Sequence, residues 1–244
     1  MLTFNGNKVP EFVKVQAVNI QVLPMIESNL KTIVGSSGRL AGRSSLGEKL
    51  ISCDVVIVIP DGYTLQKCAR ELAVWLRGDD FRVSPLIITD DADVRYMAKV
   101  NNSAELSDLL VAGQGTIEFV VPSGDSESVN TTTVSGTNSV TVNNQGTKVV
   151  YPVITATLGT AVTNGTINVK NNTTGNKVTL HGTFKAGEVL TIDCDKHLVK
   201  RGDTLDISML NIESHFFGLK EGNNVIQCDN NSTKITVTYR KKFL

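Results

Sequence analysis

One stretch of the chain has the full apolar spacing and both end signals of an α-helix, and this feature most restricts the folds open to the chain. Thr64 is a suitable N-cap for that stretch and Gly78 a suitable C-terminal stop. The spacing predicts a helix from Thr64 to Arg77 whose apolar stripe packs on a sheet. The side chains expected to be buried there include the only tryptophan; they are Leu65, Cys68, Ala69, Leu72, Trp75 and Leu76.

The rest of the chain consists mainly of short β-branched runs separated by turn residues, which is the pattern of β-strands. Many short strands with one helix favour sandwich packing, so the predicted fold class is mainly β. Asn102–Val111 fits either a short helix or an irregular strand. Strands are predicted at 12–22, 52–59, 81–89, 95–100, 115–122, 151–157, 165–170, 177–181, 188–193, 205–210, 224–228 and 234–240.

Charged side chains become rare after the first half of the chain. Ser126–Thr183 spans 58 residues with four charges, where the chain average of 20% predicts about twelve. Clusters of β-branched residues between Asn and Gly turns favour strands over a disordered linker. We therefore expect two domains: 1–124, a β-sandwich with the helix, and 125–244, a second β-sandwich. Within the latter, 125–146 is a linker or a hairpin, and the last strand is a candidate to pack back on the first domain.

Several classes of function are disfavoured by composition. The 24 basic residues equal the 24 acidic ones, which argues against nucleic-acid wrapping and against a polybasic membrane anchor. The longest aliphatic run, Val55–Ile59, is far shorter than the ~20 residues of a membrane helix, so no membrane insertion is expected. No secretion signal is recognised at the N-terminus, so folding in a cytoplasm is expected. The four scattered cysteines are expected to be free, buried thiols.

No catalytic, cofactor or metal site is predicted. Asp193–His197 has a metal-like composition, but side chains alternate along a strand, so Asp193 and Asp195 cannot converge with Cys194. The acidic run Asp90–Asp93 lacks the spacing of an EF-hand and fits a solvated turn. The second half has no tryptophan to serve as a platform for sugars.

A glycine-rich segment, Val34–Leu50, precedes a buried strand and lacks the order of a phosphate-binding loop. Its length predicts a hairpin that leaves the core of its own domain. Exposed strand edges of this kind either aggregate or pair with a partner strand. The residues that we assign to this intersubunit hairpin are Val34, Gly35, Gly38, Arg39, Leu40, Gly42, Arg43 and Leu46.

Four segments of the chain resemble the distal tail protein (Dit) family of phages with long, non-contractile tails. They follow the order of the family's motifs and are spread over nearly the full length of the chain. The first segment is similar to the family's opening "F-x-G … V-P-x-Y/F-V-x-V". The fourth is similar to the family's ending "G-[DE]-x-L-x-I-D … F-x-x-L-x-x-G-x-N … F-L". Val120–Gly124 departs from the aromatic Asp-Pro-Tyr stretch of many members. The segments are Phe4–Val15; Val34–Arg39 with Leu46–Gly47 and Ile51–Ile59; Leu76 with Tyr96–Val100 and Gly115–Phe119; and Gly187–Cys194 with Leu205–Asp206, Phe217–Asn224, Ile235 and Lys242–Leu244.

The resemblance implies a structural hub in the virion, at the tail tip. Family members form homohexameric rings between the tail tube protein and the tail-associated lysin or fibre protein. In such a ring the first domain builds the ring, and a galectin-like second domain projects outward and can hold receptor-binding proteins. DNA passes only through the channel, toward which Arg39 and Arg43 would point if they do not contact a neighbour.

Two other functions stay open at this stage. A carbohydrate-binding module would be favoured by an exposed aromatic pair on a concave sheet. An enzyme, such as a cell-wall hydrolase, would be favoured by clustered, buried carboxylates. The residues support the hub better than either.

Overall fold

The computed structural model describes residues 2–35, 37–101 and 113–244, so Asn102–Val111 lies outside the described residues. The described chain is mainly β with one α-helix, which confirms the predicted fold class. It divides into two compact units, the first ending at Val129 and the second covering 130–243. This boundary is five residues later than predicted because Ser126–Ser128 pairs with Val94–Tyr96 in the sheet of the first unit.

The first unit is built on one sheet with the order β2-β1-β9-β10-β11-β8-β3, and β12 pairs with β10. Its strands are β1 (Leu2–Phe4), β2 (Asn7–Lys8), β3 (Val13–Ile20), β8 (Lys49–Ile57), β9 (Ser84–Ile88), β10 (Val94–Val100), β11 (Gln114–Val121) and β12 (Ser126–Ser128); four short strands, β4 (Ile26–Glu27), β5 (Leu30–Thr32), β6 (Arg39–Ala41) and β7 (Ser45–Leu46), lie outside this sheet.

Strand β10 joins two halves of the sheet. Arg95–Ala98 pairs with β9, whereas Lys99 and Val100 pair with β11. Side chains alternate along β8, so that every second residue from Lys49 to Ile57 is buried. Buried residues from both halves form one core, which is the packing expected of a sandwich. The strand predicted at 52–59 is displaced toward the C-terminus, since β8 begins at Lys49 and ends at Ile57.

The single helix, α1 (Leu65–Arg77), packs on this core. Thr64 caps it, because its hydroxyl accepts the N–H of Lys67, and Gly78 ends it with a positive φ of 57°. The indole N–H of Trp75 donates to the carbonyl of Asn7 at 3.0 Å. Four predicted stripe residues are buried: Cys68, Leu72, Trp75 and Leu76.

Two residues of the predicted stripe differ from expectation. Leu65 is 39% exposed, and Ala69 is only half-buried. Helical side chains point toward the N-terminus, so a side chain at the first helical position extends beyond the end of the helix. The prediction that Leu65 belongs to the buried stripe is therefore wrong.

The second unit is a sandwich of two antiparallel sheets around a separate core. One sheet has the order β13-β22-β15-β18-β19-β20 and the other β14-β21-β16-β17. The strands of the two sheets are β13 (Thr132–Thr137), β14 (Ser139–Asn144), β15 (Val153–Thr157), β16 (Val162–Asn171), β17 (Lys177–Phe184), β18 (Val189–Asp193), β19 (Leu198–Arg201), β20 (Thr204–Leu205), β21 (Gly222–Cys228) and β22 (Lys234–Tyr239). The last strand of the chain, β23 (Lys242–Phe243), belongs to neither of these sheets.

Two segments of the second unit differ from the sequence expectations. Residues 125–146 are neither a linker nor a simple hairpin: β13 pairs with β22 in one sheet and β14 pairs with β21 in the other. Asn138, at a positive φ of 61°, turns the chain between them. The strand predicted at 205–210 is largely a 3₁₀ turn, Ile207–Met209.

The four cysteines are free and buried. Burial, with a smaller contribution from Asp54, raises the pKa of Cys53 to about 12, and burial raises the pKa of Cys194 to about 12.

We expect no reaction of the native protein with a thiol reagent at pH 8.5, and four reactive thiols after denaturation. Unfolded thiols ionise near pH 8.5, whereas these two buried thiols stay protonated to higher pH. Their contribution to the free energy of unfolding is therefore fully present below pH 8.5 and is lost as the pH rises toward 12. Titration with a chromogenic disulfide measures the first effect, and rapid modification of any native thiol would contradict it.

No helix in the described ranges is long and apolar enough to cross a membrane.

Candidate interface for assembly

A long hairpin leaves the first unit between β3 and β8. We call residues 22–48 the arm, of which Ser36 is outside the described residues. Ile26 and Glu27 pair with Leu46 and Ser45, and Leu30–Thr32 pairs with Arg39–Ala41. The arm is thus a two-stranded extension of the β3–β8 pair, with no third strand beside it among the described residues.

Hydrogen bonds fix the base of the arm to the sheet. The backbone N–H of Leu50 donates to the side chain of Gln21 at 3.1 Å, and the N–H of Met25 donates to the carbonyl of Glu48 at 2.9 Å. A shallow groove of about 320 Å³ lies there, lined by Gln21, Val22, Leu23, Met25, Glu48 and Leu50. The base is therefore held in a defined direction.

Glycines shape the outer part of the arm. Gly35 and Gly38 have φ of 86° and 110°, a region that other residues rarely adopt, and they reverse the chain at the tip. At Gly42 a Cβ atom would lie 3.1 Å from the carbonyl oxygen of Asn29 on the facing strand. These positions explain why the segment is rich in glycine without any phosphate-binding role.

The arm exposes an unusual number of large apolar side chains. Val34 at the tip is 99% exposed and Val22 near the base is 86% exposed. Concentration of exposed apolar side chains in one hairpin is typical of a site of protein contact. The exposed set comprises Val22, Leu23, Met25, Ile26, Leu30, Ile33, Val34, Leu40 and Leu46.

The structure places all eight predicted hairpin residues on the arm, but their arrangement differs from the prediction. Val34 and Gly35 form the tip, and Arg39, Leu40, Gly42, Arg43 and Leu46 all lie exposed on the returning strand or beside it. The outgoing strand, Ile26–Thr32, is missing from the prediction. Its short strands have no buried face and so give no period-two signal; the pairing of Leu30 with Ala41 becomes visible only in three dimensions.

The sequence motifs that resemble chemical sites do not assemble into one. Asp193 ends β18, and one oxygen of its carboxylate accepts the N–H groups of Asp195 and Lys196. Cys194 is buried on the opposite face. In the described ranges no three His, Cys, Asp or Glu side chains are grouped to hold a metal ion.

Family models match both units. Residues 4–121 match the phage tail protein RIFT-related domain, and residues 145–243 match the siphovirus-type tail component, C-terminal domain. No curated protein matches the sequence.

One solved structure matches over the full chain. The crystal structure of phage SPP1 Dit, described as a paradigm of hub adsorption apparatus in Gram-positive infecting phages, aligns with a TM-score of 0.82 at 20% identity, over 100% of this chain and 98% of that chain. A chain of the phage P2 baseplate, in its activated conformation with Ca, aligns at 9% identity over 93% and 90% of the two chains; its TM-score of 0.45 is too low to support an argument. The two family models, with this shared fold, confirm the resemblance seen in the sequence: the chain belongs to the distal tail (Dit) family of siphovirus tail components, which are structural proteins of the tail tip.

Proposed function

We infer that this protein is the hub of a phage tail tip and works as a closed ring of six copies. The observation that carries this inference is the arm, a hairpin that is hydrogen-bonded at its base and exposes nine large apolar side chains. When one surface of a subunit binds a different surface of the next identical subunit, the copies form a ring if the rotation between neighbours closes on itself. Each arm then covers its apolar residues against the next subunit, and the ring has no free arm.

Main-chain pairing suits the composition of the arm. A strand that adds to the edge of another sheet contributes backbone hydrogen bonds, which tolerate the Ser and Gly residues between Val34 and Leu46. The exposed aliphatic side chains add hydrophobic burial at roughly 25 cal/mol per Å². Arg39 and Arg43 contact the neighbour or face the channel through which DNA passes.

The ring joins two sets of partners. In the proposed arrangement the first unit stacks between the tail tube protein and the tail-associated lysin or fibre protein, inside the virion tail tip, after assembly in the host cytoplasm. The second unit projects outward as a galectin-like domain and offers a site for receptor-binding proteins. The equal numbers of acidic and basic residues suit packing between proteins better than nucleic-acid binding.

Electron micrographs of the purified protein test the ring. We expect round particles with six-fold symmetry and a central opening. Particles the size of one chain at every concentration, or rings with another number of subunits, would contradict the proposal.

We propose a structural rather than a catalytic role. Glycoside hydrolysis requires two carboxylates that face each other across a substrate cleft. Glu127, Glu188 and Asp206 each lie within ion-pair distance of an arginine.

For the second unit we predict weak or no binding of neutral sugars. Phe184, Phe217 and Tyr239 are buried in its core, and Phe216 packs against that core while stacking on His197. Tyr151 is thus the one large aromatic of this unit with half of its surface exposed. Titration with neutral oligosaccharides should give dissociation constants no lower than ~1 mM. Saturable binding well below that value would overturn the prediction.

A further inference from the structure

A continuous row of polar side chains crosses the outer face of the six-stranded sheet in the second unit. The register aligns one residue from each of five strands: Ser135, Thr236, Thr155, Thr191 and Lys200. Their chain neighbours, such as Ile154, Ile192 and Val199, are buried in the core. The row therefore faces outward, and the strand spacing of ~4.8 Å gives it a length of about 19 Å.

A cleft of about 150 Å³ opens at the Lys200 end of this row. Val153 and Leu198 provide apolar surface, and Lys196 and Lys200 carry its two ammonium groups. The lining residues are Val153, Thr191, Asp193, Lys196, Leu198 and Lys200.

The loop that carries Lys196 is rigidly held. The carboxylate of Asp193 accepts the N–H groups of Asp195 at 3.1 Å and of Lys196 at 3.0 Å. The next residue, His197, stacks on Phe216 with ring centroids 4.8 Å apart. The cleft is thus preformed, so a ligand has little ordering entropy to overcome.

The charges of the cleft select the ligand. In the part of the chain that the structure describes, no carboxylate lies within ion-pair distance of Lys196 or Lys200. Two ammonium groups and one carboxylate leave an excess of one positive charge. That excess favours a singly charged anion, which is the charge of a phosphodiester or of a carboxylate.

We propose that this cleft and the adjoining hydroxyl row bind a linear, anionic, hydroxyl-rich polymer, with one charged unit seated between Lys196 and Lys200. Thr191 and Thr155 then offer hydroxyl groups, each both donor and acceptor, at intervals along the polymer. Farther along the row, the hydroxyl oxygens of Ser135 and Thr236 lie 2.9 Å apart and form a hydrogen-bonded pair. The attraction is partly screened by salt, so binding weakens as ionic strength rises. This site would recognise its ligand by charge and by hydroxyl groups. Neutral sugars usually bind on an exposed aromatic platform, which is a different kind of site.

The chain contains a matched control for this site. Lys170 and Lys177 are directly paired on the four-stranded sheet and are also exposed. They provide the same two charges on neighbouring strands without this cleft or the row. Replacing either pair by glutamine changes the net charge equally.

The experiment measures binding of the full-length protein to poly(glycerol phosphate), to polygalacturonate and to neutral dextran. We expect saturable binding to one or both charged polymers, and the preferred one identifies phosphodiester or carboxylate as the ligand group. The double variant K196Q/K200Q should weaken binding by at least about tenfold, whereas K170Q/K177Q should change it by less than about twofold. Thr191→Val, which removes one hydroxyl from the row, should weaken it as well.

Three outcomes would overturn the proposal: no saturable binding to either charged polymer, equal loss in the two double variants, or equal binding of dextran. Because the assay does not require a ring, each of these outcomes leaves the hub proposal intact.

Discussion

Excision of the outer arm should leave a folded chain that no longer forms rings. Because Glu27 pairs with Ser45, residues 28–44 can be replaced by Asn-Gly, the preferred two-residue connection of a hairpin. The excision removes Leu30, Ile33, Val34 and Leu40, which are exposed, so the core of the first unit loses nothing. Circular dichroism should be unchanged in shape, and electron micrographs should show single chains only.

A point variant with a matched control separates the arm from a general loss of apolar surface. Val34 at the arm tip and Ile212 in the second unit are both 99% exposed. Val34→Asn should weaken ring formation measurably, whereas Ile212→Asn should leave it unchanged. Rings that persist in the excised protein, or equal effects of the two point variants, would contradict the role of the arm.

Trp75→Ala should destabilise the first unit by ~3–5 kcal/mol, the range for truncation of a large buried side chain. The indole is packed against Phe4 and Phe119, with ring centroids 5.8 and 6.3 Å away. Its N–H bond to the carbonyl of Asn7 also ties the helix to β2. Truncation leaves a cavity at the junction of the helix and the sheet and leaves the carbonyl of Asn7 without this donor.

Denaturant unfolding followed by circular dichroism measures the loss. Trp75→Phe is the matched control: it keeps an aromatic ring but removes the N–H donor, so it should cost about 1–2 kcal/mol for the lost hydrogen bond, plus a smaller packing loss. A change below ~1 kcal/mol for Trp75→Ala would show that the helix does not anchor the first unit. Since the chain has two units, the transition of the first must be resolved from that of the second.

The helix was predictable because its signals are local. Thr64, Gly78 and the apolar spacing between them lie within fifteen residues, and the structure has the helix at Leu65–Arg77. Leu65 was misplaced because periodicity reports which face a residue occupies and not whether the sheet extends far enough to cover it. Burial at the end of an element depends on its neighbours in three dimensions.

Strands with a buried face were also predictable, whereas others were not. Val153–Thr157 and Lys234–Tyr239 alternate strongly and were found within two residues of their predicted ends. Thr132–Thr137 was missed because its inward side is only half-buried and its residues are mainly Thr, Ser and Gly. The outgoing strand of the arm gave no signal for the same reason, since neither of its faces contacts the core.

The prediction of the arm as an interface rested on its glycine content more than on the spacing of its apolar residues. The glycines between Val34 and Gly47 indicated a protruding segment, and the structure shows why they are needed at the tip. The hydroxyl row could not be foreseen, because its members come from five strands whose register no local signal gives. Only the folded sheet brings Ser135 and Lys200 into one line.

The mass of the purified protein in solution tests the central claim most directly. Light scattering at several concentrations should give about six times the 26.3 kDa of one chain, with little change on dilution. The protein with the arm excised should give the mass of a single chain under the same conditions. A wild-type mass of 26.3 kDa at every concentration would contradict the account of this protein as a ring-forming hub.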